Sequence, residues 1–206
     1  MHTEDGFDKE IIMNLAATPK EFDLYRSDIV VLDTETTGLD EYARVCEISI
    51  IDGSGNTLLD TLVNPEIEIP QDAIDIHGIT NKMVADAPTI IDVGLQIQEA
   101  LSGKTLCIYN SGYDVRLLNQ SFNVHLDFHK HVWNTAFDVR CIMQSYAEFF
   151  GELDNRFGGF KYRWQKLVNA CAQQNIDTTN FTAHRALGDC QMTLALMNEF
   201  MNIHEG

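Results

Sequence analysis

Residues 29–64 read IVVLDTETTGLDEYARVCEISIIDGSGNTLLDTLVN, and this stretch decides the fold class. It opens with a short apolar run of the kind found in buried strands, and it continues with a segment that alternates apolar and polar residues. A Gly-Ser-Gly turn at residues 53–55 then separates this segment from a third apolar run. The pattern predicts three consecutive strands, of which the last two form a hairpin.

Beyond this meander, helices and strands alternate. We expect an irregular stretch over residues 64–80, a helix that follows Pro88 and ends at Gly103, and a strand over residues 105–111. Further predicted elements are, in chain order, a helix from Tyr113, a strand over residues 132–138, a helix over 139–150, a Gly-rich loop over 151–163, and helices over 164–174 and 184–201. This order predicts an α/β fold with a mixed sheet covered by helices on both faces.

The length and composition are typical of one globular domain. The chain has 206 residues, of which 45% are hydrophobic and 22% charged. No apolar run approaches the roughly 20 residues that a membrane-spanning helix needs. The first ten residues, MHTEDGFDKE, are acidic and polar, unlike a secretion signal. We expect a domain over residues 28–206, preceded by a polar lead-in over residues 1–27 with one short helix.

The cysteines favour a reducing compartment. There are five, they are scattered, and no pair has C-x-x-C spacing (Cys46, Cys107, Cys141, Cys171 and Cys190). An odd, scattered set is typical neither of a disulfide framework nor of a zinc site. We therefore expect buried or half-buried free thiols and a cytoplasmic protein.

The net charge restricts the partners. Thirty-one Asp and Glu residues against 14 Lys and Arg give a net charge of -17. Such a field opposes association with long polyanionic duplexes, although two bound divalent cations would add four positive charges at one site. If the partner is a nucleic acid, we expect short or single strands held at one end, or delivery by another protein.

Candidate metal ligands follow two of the predicted strands. Asp33 and Glu35 are two residues apart at a strand end, so their side chains point to one face and can share a cation. Asp114 lies in the first turn of the helix after another strand, where a carboxylate is favoured. Solvated strand-end carboxylates and a helix cap are the alternatives when each site is considered alone.

His184 and Asp189 form a third candidate group. Inside one helix, side chains five residues apart diverge by about 140°. The two converge if His184 precedes the helix that contains Asp189, and Thr182 is a plausible cap for that helix. A loop histidine can act as a general base near neutral pH. A surface histidine near a helix start is the alternative.

Two further segments could face a nucleic acid. His77 is followed by Gly78, which allows close backbone approach, and by Ile79, a candidate apolar platform for a base or sugar. Residues 155–166, NRFGGFKYRWQK, interleave aromatic residues with basic ones, namely Arg156, Lys161, Arg163 and Lys166. This mixture suits phosphate contact and base stacking. A plain loop histidine, and a loop whose aromatic residues fold into the core, are the alternatives.

The order and wording of these motifs resemble the DEDDh branch of the DnaQ-like 3′–5′ exonucleases, a family that includes the proofreading subunit of bacterial DNA polymerase III. VLDTETTGL at residues 31–39, NSGYDVRLL at 110–118 and AHRALGDCQMT at 183–193 are similar to its three motifs, and IHGIT at 76–80 is similar to its nucleotide-facing loop. The resemblance covers about residues 28–201.

This resemblance implies a ribonuclease H-like fold, with a five-stranded mixed sheet of order 3-2-1-4-5 whose second strand is antiparallel. It implies that two Mg²⁺ or Mn²⁺ ions are held by Asp33, Glu35, Asp114 and Asp189. His184 would be the general base, and Glu35 would also reach the 3′-hydroxyl of the terminal sugar. The residues that would frame the terminal nucleotide are Thr36, Thr37, Leu39, His77 and Tyr113.

The implied activity is 3′–5′ exonucleolytic release of nucleoside 5′-monophosphates from single-stranded DNA. A DNA polymerase or a repair complex is a candidate partner, and proofreading is a candidate role. The same chemistry on RNA or short oligonucleotides is the first alternative, because no motif reveals a contact to the 2′-hydroxyl. A non-catalytic adaptor that keeps the fold is the second.

Overall fold

The computed structural model describes residues 24–123, 138–157 and 161–205. Within these ranges the strands are β1 Leu24–Tyr25, β2 Ile29–Thr36, β3 Val45–Asp52, β4 Thr57–Leu62, β5 Thr105–Ile108, β6 Asp138–Cys141 and β7 Ile203–His204. The α-helices are α1 Gln71–His77, α2 Asn81–Val84, α3 Gly94–Leu101, α4 Ser111–Asn123, α5 Ile142–Phe150, α6 Leu167–Gln173 and α7 Ala186–Phe200.

Five of these strands form one mixed sheet of order β4-β3-β2-β5-β6. β3 is antiparallel to both β2 and β4, whereas β5 is parallel to β2 and β6 is parallel to β5. Counted from β2, the order is therefore 3-2-1-4-5 with an antiparallel second strand. The predicted α/β class and mixed sheet are confirmed.

Strand β2 lies at the centre of the sheet and is buried on both faces. Because successive side chains of a strand point to opposite faces, Ile29 and Val31 pack into a core with residues of α5, α6 and α7. Val30 and Leu32 pack into a second core with residues of α3 and α4. The carboxyl end of β2, where Asp33 and Glu35 lie, is thus held between two packed layers.

Two local predictions are wrong. Residues 71–77, which we expected to be irregular, form α1 directly after Pro70, whose fixed φ suits a helix start. Residues 139–141, which we assigned to a helix, belong to β6, because parallel pairing with β5 places Val139 beside Leu106. The strand that we expected over residues 132–138 lies outside the described residues except for Asp138.

The chain before β2 packs against the chain's last described strand. β1 pairs with β7 in a separate two-stranded parallel sheet, and Leu24 is buried in the core on the α7 side. The short helix predicted in the lead-in lies outside the described residues. The division at residue 28 stays a prediction.

The cysteines and the described helices bear on two expectations drawn from composition. All five cysteines are free and buried, as expected. Among the described helices, none has both the length and the apolar character needed to cross a membrane.

Candidate active site

Three carboxylates meet at the carboxyl end of β2. Asp33 and Glu35 lie on the same face of this strand, and Asp189 lies in the first turn of α7. One carboxylate oxygen from each residue lies within 4.8 Å of the others. All three side chains are partly buried, so the group forms a recessed cluster of oxygen donors.

Asp114 is the fourth carboxylate of this region. It lies in the first turn of α4 and is buried. One of its oxygens accepts a hydrogen bond from the Thr34 hydroxyl, with Oγ1 2.8 Å from Oδ1. After burial, repulsion by Asp114 is the largest cause that raises the pKa of Asp33, so the two carboxyl groups act on each other. The structure therefore brings three of the four predicted metal ligands into one cluster, and it places Asp114 near enough to act electrostatically on Asp33.

Among the described residues, Arg185 and His184 offset only part of the negative charge of this cluster. Burial, followed by repulsion from Asp114, Asp189 and Glu35, raises the pKa of Asp33 well above its ordinary range. Burial is also the main cause that raises the pKa of Glu35 to about 8, that of Asp114 to about 7 and that of Asp189 to about 6. Clustered carboxylate oxygens with uncompensated charge are the donor set that hard divalent cations such as Mg²⁺ and Mn²⁺ prefer. The residues present fit such ions.

His184 lies beside the cluster on the turn that leads into α7. The residue is exposed and adopts a positive φ of 58°. Its backbone N–H donates to the Asp189 carboxylate, and its side chain is close enough to lower the pKa of that group. His184 thus precedes the helix and Asp189 lies inside it, which is the arrangement that lets the two converge.

Gly188 allows this turn to fold over the start of α7. A Cβ atom at this position would lie 2.1 Å from the carbonyl oxygen of Thr182, so only glycine fits without displacing the backbone.

The prediction that Thr182 caps α7 is wrong. The residue at the N-cap position of α7 is Arg185, not Thr182.

The chain matches the RNase_T exonuclease family model over residues 30–197. It belongs to this exonuclease family. The exonuclease is 40% identical over 172 residues to the uncharacterized exonuclease CP81 of Escherichia phage 186, a match that covers 83% of this chain and 87% of that one. It is 28% identical over 171 residues to the DNA polymerase III subunit epsilon of Rickettsia felis, covering 79% of this chain and 69% of that one. The predicted DnaQ-like membership is confirmed.

Solved structures support the same assignment. Exonuclease X, solved in complex with 5′ overhanging duplex DNA, superposes with a TM-score of 0.62 at 26% identity, covering 84% of this chain and 91% of that one. Escherichia coli exonuclease I in complex with a dA16 oligonucleotide gives a TM-score of 0.64 at 16% identity, covering 83% and 40%, which supports the fold alone. Fold and family together make this protein a phosphodiester hydrolase of the exonuclease class.

Sequence reasoning missed Glu47 of this exonuclease. Glu47 lies on β3 directly opposite Glu35, and only 3% of its surface is exposed. Its carboxylate accepts hydrogen bonds from the Arg185 guanidinium and, at 3.0 Å, from the backbone N–H of Ala186. Glu47 therefore caps α7 from the neighbouring strand and fixes the residue next to His184. The signal in the sequence is a charged residue amid the apolar run VCEISII, but nothing local identifies its partner.

The residues expected to frame a nucleotide surround the loop after β2. The Tyr113 hydroxyl lies 2.5 Å from Thr36 Oγ1 and donates to the Gly38 carbonyl at 3.1 Å. Thr37 Oγ1 accepts the backbone N–H of Arg44 at 3.0 Å, and Leu39 is exposed at the loop tip. These contacts hold the loop in one conformation next to the carboxylates.

His77 is placed differently from what we expected. It is the last residue of α1, and only 6% of its surface is exposed, which leaves little room for direct contact with a nucleotide. Its Nδ1 accepts the N–H of Ile79, so Nε2 is the nitrogen that donates to the Thr36 carbonyl at 3.2 Å. Ile79, the expected apolar platform, is fully buried. The structure thus gives His77 a supporting role beneath the loop after β2.

The basic segment forms a hairpin at one side of the site. Its backbone pairs Leu153 with Tyr162, and Arg156 and Arg163 form ion pairs with acids of the same hairpin, Asp154 and Glu152. Lys161 and Lys166 are exposed, as are the aromatic residues Tyr162 and Trp164. The alternative in which the aromatic residues enter the core is therefore wrong for these two, and the side chains of Phe157 and Phe160 lie outside the described part of the chain.

Proposed function

We propose that this exonuclease removes nucleotides one at a time from the 3′ ends of single-stranded DNA and releases nucleoside 5′-monophosphates. The observation that carries the proposal is the convergence of four carboxylates with raised pKa values beside an exposed histidine. The elements that bring them together are separate in sequence, and clustered carboxylate oxygens with raised pKa values are typical of a functional site and suit a divalent cation.

Two divalent cations, Mg²⁺ or Mn²⁺, fit this cluster. Asp33, Glu35 and Asp189 offer oxygens close enough to share one ion, and Asp114 extends the donor set toward a second. When bound, such cations lower the pKa of a coordinated water and stabilise negative charge on a departing oxygen. They would also neutralise the charge that burial makes unfavourable.

His184 is the proposed general base. Its exposure and its place on a turn outside the helix leave the imidazole accessible to a water molecule, while the bond from its backbone to Asp189 fixes it relative to the cluster. An imidazole in this position can take the proton of the attacking water during phosphodiester cleavage. Glu35 can at the same time accept a hydrogen bond from the terminal 3′-hydroxyl.

The loop after β2 is the proposed seat of the terminal nucleotide. Leu39 offers an exposed apolar side chain for the base, and Thr36, Thr37 and Tyr113 offer polar groups near it. The Arg116 guanidinium lies 5.5 Å from the centre of the Tyr113 ring, which fixes the ring further. His77 contributes by holding the Thr36 carbonyl.

Similarity to known exonucleases supports DNA as the polymer. Exonuclease X is solved with DNA, and several relatives are epsilon subunits of DNA polymerase III. We therefore propose a DNA polymerase or repair complex as a partner and proofreading as one role. Lys161, Lys166, Arg156 and Arg163 are proposed contacts for the phosphates, and the five free thiols support a cytoplasmic location.

The experiment compares two polymers and four proteins. 5′-labelled single-stranded DNA and RNA of matched sequence are incubated with Mg²⁺ or Mn²⁺ and with wild type, Asp33→Ala or His184→Ala. Glu99→Gln, which removes an exposed carboxylate on α3, is the control. We expect wild type and Glu99→Gln to shorten DNA from the 3′ end in single steps, and both site variants to be at least about 100-fold slower.

Other outcomes reassign or reject the proposal. Faster shortening of RNA would assign the site to the exoribonuclease alternative. Wild type that cleaves neither polymer with either metal would favour a non-catalytic adaptor.

A further inference from the structure

A short hairpin next to the active site exposes an apolar surface. Leu153 and Tyr162 pair across it, with backbone hydrogen bonds from Asp154 to Lys161 at 2.7 Å and from Arg163 to Glu152 at 2.8 Å. We define the aromatic face as the side chains of Leu153, Tyr162 and Trp164. Their exposed fractions are 53%, 44% and 62%.

Strand geometry explains why these three side chains share one side. Residues directly opposite in an antiparallel pair, and residues two apart in an extended chain, point the same way. The residues between them turn to the other side, where Arg163 and Gln165 both donate to the Glu152 carboxylate, at 2.9 and 2.8 Å. The polar side of the hairpin is thus satisfied within the protein, and the aromatic face points outward.

The hairpin is attached to the edge of the sheet that carries the active site. The carbonyl of Gln165, next to Trp164, accepts a hydrogen bond of 2.8 Å from the Tyr109 hydroxyl. Tyr109 directly follows β5 and precedes α4, the helix that carries Asp114. Because β5 runs parallel to β2, Tyr109 lies at the same edge as Asp33 and Glu35.

The net charge of residues 151–166 is opposite in sign to that of the whole chain. Residues 151–166 contain four Lys or Arg and two Asp or Glu, whereas the whole chain has 31 acidic and 14 basic residues. A polyanionic strand that extends from the site is repelled by most of the molecule but attracted here. Charge thus favours nucleic acid as the occupant of the aromatic face over another acidic protein.

We propose that the aromatic face stacks the bases of the single strand that lie upstream of the nucleotide being removed. This inference rests on the proposed function and adds a substrate subsite to it. Tyr162 and Trp164 supply ring faces that accept any base, and Lys161 and Lys166 lie beside them in the chain to contact phosphates. The subsite selects for unpaired strands, because bases inside a duplex cannot stack on protein rings.

The test separates strand binding from chemistry. Initial rates are measured on a thymidine dinucleotide, which has one base upstream of the nucleotide removed, and on a thymidine 12-mer, which has eleven. We expect Trp164→Ala and Tyr162→Ala each to raise KM for the 12-mer roughly 10-fold, with an unchanged kcat and a smaller change in KM for the dinucleotide. Trp164→Phe keeps a ring and should restore most of the lost affinity.

A matched control removes an equally exposed apolar side chain elsewhere. Leu95 on α3 is 63% exposed, and Leu95→Ala should behave as wild type on both substrates.

A second measurement follows binding directly. The 12-mer is titrated into the protein in the presence of Ca²⁺, and the fluorescence emission of tryptophan is followed. Quenching in wild type should be reduced in Trp164→Phe, because that variant retains only Trp133.

Unchanged KM values in Trp164→Ala and Tyr162→Ala would overturn the subsite. Self-association that is lost in Trp164→Ala, with oligonucleotide binding intact, would assign the aromatic face to a second copy of the chain and also overturn it. If the wild type hydrolyses neither substrate, the proposed function fails, yet the emission titration still reports whether the aromatic face binds the strand.

Discussion

Glu35 and Glu47 face each other across two neighbouring strands, yet their surroundings are opposite. Glu47 is held by the Arg185 guanidinium and by the first N–H of α7. Glu35 lies beside Asp33 and Asp189, and burial, followed by repulsion from Asp189 and from Glu47 itself, raises its pKa to about 8. One glutamate therefore stabilises the fold, while the other is kept in a place where its charge is unfavourable until a cation binds.

Glu35→Gln is expected to have the largest effect on activity. Removing a proposed metal ligand should lower kcat/KM on labelled single-stranded DNA by about 10³-fold or more, since such ions contribute several kcal/mol to the transition state. The same substitution should raise the melting temperature of the metal-free protein at pH 9, because an unfavourable buried charge is lost. Activity within 10-fold of wild type would contradict the assignment. Glu99→Gln is the control.

His184→Ala should lower kcat by about 10²- to 10⁴-fold, the range that general-base catalysis supplies. His184 is exposed, so the melting temperature should stay unchanged. A kcat of His184→Ala within about 10-fold of wild type would remove His184 from the role of base.

The metal-free protein should lose stability as pH rises. The folded-state pKa values of Asp189, Asp114 and Glu35 are raised to about 6, 7 and 8. Folding therefore favours their protonated forms, and this contribution is complete below about pH 4 and is lost as pH rises through those values. The melting temperature measured by calorimetry should fall between pH 5 and pH 9.

Mg²⁺ should reverse that loss. At pH 8 and 100 times its dissociation constant, it should raise the melting temperature by roughly 5 to 10 °C. In Glu35→Gln this increase should shrink. An equal increase in wild type and variant would mean that the stabilising ion binds elsewhere.

The smallest expected effect is the difference in stability between substitutions of the two partners of the Glu47–Arg185 ion pair. Arg185→Met leaves the Glu47 carboxylate buried without its guanidinium, whereas Glu47→Gln leaves a guanidinium that is partly exposed and can reach water. Arg185→Met should therefore lower the free energy of unfolding by about 1–3 kcal/mol, and Glu47→Gln by less. Urea denaturation at pH 7 measures both, and the reverse order would contradict the assigned role of the pair.

The parts of this site that the sequence predicted are those that local rules determine. A D-x-E at a strand end places Asp33 and Glu35 on one face, and a carboxylate after a strand places Asp114 in a helix's first turn. Local patterns predicted a mixed sheet, whereas the order of its strands came from the resemblance alone, because no local rule relates strands that are distant in sequence.

What the sequence could not predict depends on contacts between distant segments. Glu47 and Arg185 are 138 residues apart, and no periodicity relates a charged residue within an apolar strand to its partner. Residues 139–141 have no strong strand signal, and only pairing with β5 makes them a strand. His77 is buried because its two ring nitrogens bond to Thr36 and Ile79, which a motif cannot show.

Crystals soaked in Mn²⁺ and measured for anomalous scattering offer a decisive test of the acidic cluster. We expect Mn²⁺ peaks coordinated by oxygens of Asp33, Glu35, Asp114 and Asp189, with Glu47 still bound to Arg185. Mn²⁺ at saturating concentration that binds elsewhere and leaves these four carboxylates without an ion would contradict it.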